Sequence, residues 1–407
     1  MKKERDKYFS FYKESNFLRY KQFYLERDIL RVAFSMFDAE KKLKKSGLVK
    51  KITISLSKQT FRRINISKLK KVLEELFLLI LLEDIKIDIK EIEDIKGRVR
   101  KEKKFPKKDA IILFSGGVDS YSGIRIAEKE YKDLLGLFVA HNDQTRIINI
   151  VQEIIKKSLI STEIRTVYAP GMGLLGYSQL RGFLYILSGG VYANLYKASK
   201  ILVTECGPTM YQPLFSPFDS ITYTTHPYVL KAAKDALDIL LENKLKVLIP
   251  FENLTKAEII SNSGIKDFSI THSCISQRFG NHDGICFGCV IRKLACKVSG
   301  VNDVVYEKDI FREDVNRDNL MNILVFSCDL LDNYENMPDF ETNKIDEFQK
   351  YDLFKRYALD NLAGLMLSVG EKNKLFKNFL INKEIILERV LQVRENKKKP
   401  DFNKYIS

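Results

Sequence analysis

A short apolar run that passes directly into a glycine-rich turn limits most strongly what this chain can fold into. Residues 109–114 (DAIILF) predict a buried strand, and residues 115–120 (SGGVDS) follow it without a gap. Two adjacent glycines let the backbone turn sharply and approach a ligand without a Cβ in the way. A helix that begins after such a turn directs unpaired N–H groups and the positive end of its dipole toward the ligand. The sequence therefore predicts a strand–loop–helix unit that binds phosphate.

The residue types in this loop suit pyrophosphate better than a terminal phosphate. The serines can donate hydroxyl hydrogen bonds, and the aspartate can brace the loop or help to place Mg²⁺. The run lacks the Gly-Lys-Ser/Thr sequence of γ-phosphate enzymes, and its spacing does not fit the G-x-G-x-x-G of dinucleotide-binding folds. The expected nucleotide-binding residues are Ser115, Gly116, Gly117, Val118, Asp119 and Ser120.

The chain after the loop alternates predicted strands and helices. Further strands are predicted at 134–141, 162–168, 201–204 and 246–250, with helices at 144–157, 180–199 and 255–263. Near-continuous apolar strands separated by helices indicate an α/β fold, with a doubly wound parallel sheet covered on both faces. We expect this domain at 109–300, a helical C-terminal region at 301–407, and a small α+β domain at 1–108. The α+β domain has a predicted helix at 22–45 and strands at 52–56 and 85–89, around a helix that ends at 82.

The basic charge of the chain is confined to its first quarter. The net charge is +15, and residues 1–108 hold 31 Lys and Arg against 16 Asp and Glu, so the remainder is neutral. This predicts an acidic partner, either nucleic acid or an acidic protein surface, with a lysine-rich solvated face as the alternative. No secretory signal or membrane span is expected, because the start is charged and the apolar run at 73–82 is too short. The six cysteines do not resemble a secreted disulfide framework, so we expect a cytoplasmic protein with reduced thiols.

Cysteines concentrate in one stretch after the predicted sheet. Cys286 and Cys289 form a C-x-x-C pair, whose turn brings two thiolates to one edge of a zinc tetrahedron, and Cys274 can supply a third. The spacing by itself thus predicts three metal ligands, Cys274, Cys286 and Cys289. Cys296 is a less natural fourth ligand. The alternative for the whole set is buried thiols that act as small apolar side chains.

The loop and the cysteines together resemble a known family. SGGVDS after a strand resembles the PP-loop of the adenylating ATP pyrophosphatases, which include lysidine synthases, thiouridylases and deazaguanine enzymes. The cysteine stretch is similar to the zinc site of 7-cyano-7-deazaguanine synthases, SC…CGxCxxCxxR: Cys274 matches the opening, Cys286 and Cys289 the last ligands, and Arg292 the trailing arginine. Asp283 stands where the family has its second cysteine, so the resemblance implies the metal ligands Cys274, Asp283, Cys286 and Cys289, with His282 or His272 as alternatives to Asp283. The resemblance implies the adenine nucleotide alpha-hydrolase (HUP-like) form of the α/β fold.

Further segments resemble the same family, and the resemblance covers about residues 109–298. Gln144 follows the second strand, where these synthases carry a Gly-Gln near the nucleotide; TKAE at 255–258 resembles their T-K-x-E, and SQLRG at 178–182 their arginine turn. Glu205 occupies the position of the acidic substrate loop. TTHP at 224–227 resembles the QatC-type proteins of bacterial anti-phage islands, which also carry an extra N-terminal domain.

The resemblance implies adenylation of a carboxylic acid similar to 7-carboxy-7-deazaguanine, with release of pyrophosphate and transfer of the acid to an amine. The amine is ammonia in the parent synthases, whereas the anti-phage branch suggests a partner protein. ATP, Mg²⁺ and Zn²⁺ are the implied cofactors, and the expected catalytic residues are Asp119, Arg181, Lys256 and His226. Two other functions remain open at this point: modification of tRNA by a PP-loop enzyme, and a non-catalytic nucleotide-binding adaptor in a defence complex.

Overall fold

The structure is a computed structural model of the chain. It describes residues 20–47, 49–93, 105–141, 149, 151–154, 156, 161–169, 178–211, 224–242, 245–275, 281–311, 317–333 and 347–369. Gln144 and most of the helix predicted at 144–157 lie outside these residues.

The N-terminal region forms helices around a two-stranded parallel sheet, close to the predicted boundaries. After one 3₁₀ turn, its elements are α1 (Tyr24–Ser46), β1 (Lys51–Ser57), α2 (Lys58–Arg63), α3 (Ile66–Leu81) and β2 (Lys86–Ile92). Ile52 and Ile54 of β1 pair with Ile87 and Ile89 of β2, so both strands turn the same apolar face inward.

The central sheet has five strands, and every neighbouring pair is parallel. The strands are β3 (Ala110–Leu113), β4 (Leu134–His141), β5 (Glu163–Ala169), β6 (Lys200–Leu202) and β7 (Lys246–Leu248). Their order is β5-β4-β3-β6-β7. The chain therefore winds outward from β3 in both directions, and the topological switch point lies between β3 and β6. In open parallel sheets, ligands bind outside the carboxyl ends of the strands at this point.

Helices cover both faces of the sheet, which confirms the α/β prediction. They are α4 (Val118–Ala127), α5 (Arg181–Leu195), α6 (Gly207–Tyr211), α7 (Pro227–Leu241), α8 (Lys256–Ser263), α9 (Phe287–Ser299), α10 (Asp318–Asn333) and α11 (Glu347–Val369). Alternate residues of β3 enter two cores. Ile111 joins the core of α1, α5 and α7, while Ala110 and Ile112 join that of α4, α9 and α11. A strand buried on both faces explains why residues 109–114 read as continuously apolar.

Neither terminal region has a hydrophobic core of its own among the described residues. One buried cluster unites α1, β1 and α3 with α5 and α7. The second unites α11 with α4 and α9, and a Cβ added at Gly364 of α11 would lie 2.7 Å from the Leu294 carbonyl oxygen of α9. The division at residues 108 and 300 stays a prediction. No helix among the described residues combines the length and the apolarity that a membrane span requires.

Candidate nucleotide site and metal centre

The glycine-rich loop turns sharply between β3 and α4 and is braced by its own serines. Gly116 has a φ of 80°, a left-handed conformation that favours glycine, and Gly117 is the N-cap of α4. The hydroxyl oxygens of Ser115 and Ser120 lie 3.1 Å apart, and Ser120 Oγ donates to the Gly117 carbonyl at 3.1 Å. The strand, the turn and the helix therefore follow one another as the sequence predicts, and the first turn of α4 lies at the switch point of the sheet.

Lys256 and Asp119 form a buried ion pair at this loop. Lys256 is the first residue of α8, and its Nζ contacts Asp119 Oδ1 with only 16% and 10% of the two side chains exposed. Burial opposes the charged form of Lys256, but Asp119 and the neighbouring acidic groups Cys206 and Glu205 together outweigh this effect and raise the pKa of Lys256 above its ordinary value. Lys256 is therefore positively charged and is held beside the glycine-rich loop.

A second carboxylate reaches the same point from β6. Ligand atoms of Asp119, Glu205 and Cys206 all lie within 4.8 Å of one another. Burial, followed by the negative charge of Asp119, raises the pKa of Glu205 well above its ordinary value. Burial also raises the pKa of Cys206 to about 12, so this residue is a thiol at neutral pH. The sequence predicts for Glu205 only a place in an acidic substrate loop. It does not reveal that Glu205 lies beside Asp119, because this depends on the sheet order, in which β6 is adjacent to β3.

Arg181 begins α5 on the other side of this cluster. Its Nη2 donates to Thr224 Oγ1 at 3.4 Å, and its buried Nε has no hydrogen-bond partner among the residues that the structure describes. The positive charge of Arg181 counteracts the rise that burial causes in the pKa of Glu205. Helix α5 approaches the next segment very closely, because a Cβ on Gly182 would lie 1.4 Å from the Thr224 carbonyl oxygen. Arg181 is thus held near the carboxylates by a tight backbone contact.

His226 has a different local role from the other predicted catalytic residues. It is the N-cap of α7, and its Nδ1 accepts a hydrogen bond from the Tyr228 N–H at 3.3 Å. Burial lowers the pKa of His226 to about 4, so the imidazole is neutral at physiological pH and can accept this bond. Its predicted catalytic role stays a prediction.

The four predicted metal ligands lie together. Ligand atoms of Cys274, Asp283, Cys286 and Cys289 are within 4.8 Å of one another, and all four residues are buried. Cys286 is the N-cap of α9 and Cys289 lies in its first turn, while Asp283 Oδ1 accepts from the N–H groups of Ile285 and Cys286 at 3.0 Å each. Hydrogen bonds to Cys274 and Cys286, together with burial, raise the pKa of Cys289 above its ordinary value. A zinc ion would reverse this effect, because it binds cysteine as the thiolate.

The alternative ligand His282 is engaged elsewhere. Its Nε2 accepts from the Ser273 N–H at 3.1 Å, and burial, followed by the charge of Arg292, lowers its pKa to about 3. Arg292 is 1% exposed and donates to the carbonyl oxygens of Thr271 and Phe268 at 2.9 Å and 2.7 Å. Arg292 therefore fixes the backbone segment at residues 268–273, which leads to Cys274. Asp283, and not His282, is the residue grouped with the cysteines.

The same segment, residues 268–273, connects the cysteine group to the glycine-rich loop at residues 115–120. The His272 N–H donates to the Gly116 carbonyl at 2.9 Å, only two residues before Cys274. A Cβ on Gly117 would lie 3.5 Å from the His272 carbonyl oxygen. The cysteine group and the glycine-rich loop are therefore neighbours that share one segment of backbone.

The C-terminal helix supports Lys256, which the sequence did not predict. Thr255 and Glu258 form a capping box at the start of α8, and both side chains contact α11. Thr255 Oγ1 donates to Asp360, and Arg356 forms an ion pair with Glu258. These contacts fix the first turn of α8, where Lys256 lies.

Comparisons with known proteins add little to this description. No protein-family model matches the chain, and no curated protein matches it. Among solved structures, the chain is similar to NMN synthetase from Francisella tularensis, with 16% sequence identity and a TM-score of 0.22 over 33% of this chain and 63% of that chain. The match thus spans less than two thirds of that structure. A superposition this slight carries no inference, and the fold rests on the sheet order and contacts described above.

Proposed function

We propose that this chain is an ATP-dependent adenylating enzyme of the PP-loop class, which cleaves ATP between the α- and β-phosphates. One observation carries the proposal: Asp119, Glu205 and Lys256 converge on a glycine-rich loop at the switch point of a parallel sheet. Burying two carboxylates and an ammonium costs free energy, so a purely structural purpose is a poor account of their convergence.

The chemistry follows from the charges at this point. A carboxylate oxygen of the substrate attacks the α-phosphorus, the bond from that phosphorus to the β-bridging oxygen breaks, and an acyl-adenylate and pyrophosphate result. The N–H groups in the first turn of α4 bind the departing pyrophosphate. Lys256 and Arg181 balance the charge that develops on the phosphates, so they stabilise the transition state more than the ground state.

The two carboxylates fit a magnesium ion. Mg²⁺ prefers carboxylate oxygens and phosphate oxygens. Asp119 and Glu205 can supply the former, and a bound cation would offset the raised pKa of Glu205, whereas the sulfur of Cys206 does not suit Mg²⁺. When bound, Mg²⁺ would neutralise charge on the β-phosphate. Lys256 keeps Asp119 oriented toward this position through their ion pair.

The group of Cys274, Asp283, Cys286 and Cys289 fits a structural zinc ion. Three sulfur atoms and one carboxylate oxygen are a suitable tetrahedral ligand set. The N–H bonds to Asp283 orient its carboxylate, as outer-shell hydrogen bonds do at metal sites. Zinc would fix Cys274 in place. Because His272, two residues before Cys274, donates to the Gly116 carbonyl, zinc would also stabilise the glycine-rich loop.

The proposed substrate is a planar heterocyclic acid of the 7-carboxy-7-deazaguanine type, by resemblance to the 7-cyano-7-deazaguanine synthases. An amine then attacks the acyl carbon, forms an amide and releases AMP. Ammonia is one acceptor, and an amine of a partner protein is the other, suggested by the TTHP segment. Mass spectrometry of proteins encoded beside this chain, after co-expression, tests the second acceptor; masses without a deazaguanine-sized increase would exclude it.

An ATP–pyrophosphate exchange assay tests the proposed function. We expect labelled pyrophosphate to enter ATP only when a suitable acid is present, and Lys256→Met to lower the exchange rate about 100-fold. Lys231→Met is the matched control, because Lys231 forms an exposed ion pair with Asp235 on α7. Cleavage of ATP to ADP, or an equal effect of the two variants, would overturn the proposal. Tight, salt-sensitive binding of tRNA would instead favour a tRNA-modifying enzyme. Binding of ATP without formation of AMP would favour a non-catalytic adaptor.

A further inference from the structure

Glu40 of the N-terminal region caps the helix that carries Arg181. It lies on α1 and is 1% exposed. Its carboxylate accepts from Ser178 Oγ at 2.6 Å, from the Gln179 N–H at 2.7 Å and from the Leu180 N–H at 3.1 Å. These three donors immediately precede Arg181, the first residue of α5.

The capping group is unusual because it comes from about 140 residues away in sequence. The N–H of Leu180, the N-cap residue, is one of the first N–H groups of α5 that lack partners within the helix, and a carboxylate that accepts from it also interacts favourably with the helix dipole. Leu180, at the N-cap position, makes no side-chain cap hydrogen bond of its own. The start of α5 therefore depends on a residue in the part of the chain that the PP-loop resemblance does not cover.

The backbone around Arg181 is fixed from two sides. Glu40 binds residues 178–180, and Gly182 lies against the Thr224 carbonyl, where a Cβ would approach to 1.4 Å. Between these two contacts, the Arg181 guanidinium extends toward Thr224 and acts on the charge of Glu205. A shift of the first turn of α5 would move the guanidinium relative to the carboxylates.

We propose that Glu40 is a positioning residue, which holds Arg181 at the nucleotide site by capping α5. The N-terminal region is then part of the catalytic unit, in addition to any surface that it offers to an acidic partner. The proposal rests on the proposed function for the role of Arg181 toward the nucleotide, while the cap itself rests on the contacts of Glu40.

Glu26 offers a matched control on the same helix. It is also buried, and its Oε1 accepts from Asn194 Nδ2 at 2.7 Å near the C-terminal end of α5. Glu26→Gln keeps an oxygen that can accept this bond. Glu40→Gln instead replaces one accepting oxygen by an NH₂ group, which cannot accept from a backbone N–H. The two variants make the same chemical change at opposite ends of α5.

Hydrogen exchange and ATP affinity of the full chain test the proposal. In Glu40→Gln, we expect the amides of residues 179–183 to exchange about fivefold faster, as the loss of a cap contact predicts. ATP binding, measured by calorimetry, is expected to weaken about fivefold in the same variant. Glu26→Gln is expected to change neither quantity. Adding Glu40→Gln to Arg181→Ala is expected to weaken ATP binding no further, because residues that act through one another are not additive.

Unchanged exchange at residues 179–183 in Glu40→Gln would overturn the cap. The role of Arg181 would be excluded if Arg181→Ala left ATP affinity unchanged. The positioning role of Glu40 would be excluded if Glu40→Gln cost the same factor with and without Arg181. Failure of the adenylation proposal has a different signature: no acid would support pyrophosphate exchange in the wild-type chain, while amide exchange and ATP affinity would still decide the role of Glu40.

Discussion

Replacing His226 by asparagine separates a helix-capping role from a catalytic one. His226 Nδ1 accepts from the Tyr228 N–H at the start of α7. Asparagine is among the best N-cap residues, and its side-chain oxygen can accept the same bond without titrating near neutral pH. We expect His226→Asn to keep the stability of the wild-type chain at pH 7.5. His226→Ala loses the cap and is expected to cost about 1 kcal/mol.

The lowered pKa of His226 determines how much the free energy of unfolding changes with pH. Burial lowers the pKa of His226 from 6.5 to about 4. Because the folded pKa lies below the unfolded one, the unfolded chain binds more protons between these values. The stabilisation that the neutral imidazole provides is therefore complete above pH 6.5 and is lost as the pH falls toward 4. A full shift of this size corresponds to roughly 3 kcal/mol, and partial solvent exposure of the ring reduces it to about 1–3 kcal/mol.

Urea unfolding between pH 4.5 and 7.5 measures this difference. Wild type is expected to lose more of its free energy of unfolding on acidification than His226→Asn does. The comparison is needed because the pKa of His282 is also lowered, and that group titrates in both proteins. If His226 acts only as a cap, pyrophosphate exchange by His226→Asn stays within about twofold of wild type at pH 7.5. Parallel pH profiles would refute the titration argument, and lost exchange in a stable variant would show that the imidazole acts in the chemistry.

Three further perturbations probe the site and its support. Asp119→Asn or Lys256→Met alone leaves a buried charge unpaired and is expected to lower the free energy of unfolding by roughly 3 kcal/mol, whereas the double variant recovers most of it; additive losses in urea unfolding would contradict the pairing. Cys289→Ser is expected to contain less zinc than wild type, measured by plasma mass spectrometry, whereas Cys296→Ser, which replaces a buried thiol outside the group, is expected to keep its zinc. Equal zinc contents of the two variants would exclude the zinc centre. Gly182→Ala places a Cβ 1.4 Å from a backbone oxygen and is expected to cost roughly 3 kcal/mol or more in thermal unfolding, so wild-type stability would contradict the contact.

Local sequence patterns predicted most of the sheet. The strand at Leu134–His141 has the predicted bounds, and the strand before the glycine loop differs from its prediction only at its ends. Helix α5 was predicted at 180–199 but ends at Leu195, and α9 was not predicted although two cysteines mark its start. The pattern around α9 was interpreted as a metal knuckle, which is a loop signal, whereas apolar residues such as Leu294 are buried by packing against α11. Helical packing in the tertiary structure therefore decided this element.

The candidate site was predictable where chemistry and chain position coincide. Four ligand atoms from Cys274 to Cys289 come together because a turn and the start of a helix suffice to gather them. Gln144 lies outside the described residues, so its predicted role stays a prediction. Glu205 joins Asp119 only because β6 lies beside β3, and strand order cannot be read from spacing.

The sequence by itself determined the strand, glycine turn and helix at residues 109–127, the alternation of strands and helices, and the identity of the grouped thiols. Each depends on residues that are near one another along the chain, since glycine conformation, side-chain period and ligand spacing are local properties. The tertiary structure decided which distant groups meet: Lys256 with Asp119, Arg356 with Glu258, and Glu40 with the start of α5. These pairs form because burial leaves charges and helix ends that need partners, and only the packed chain determines which partner is within reach.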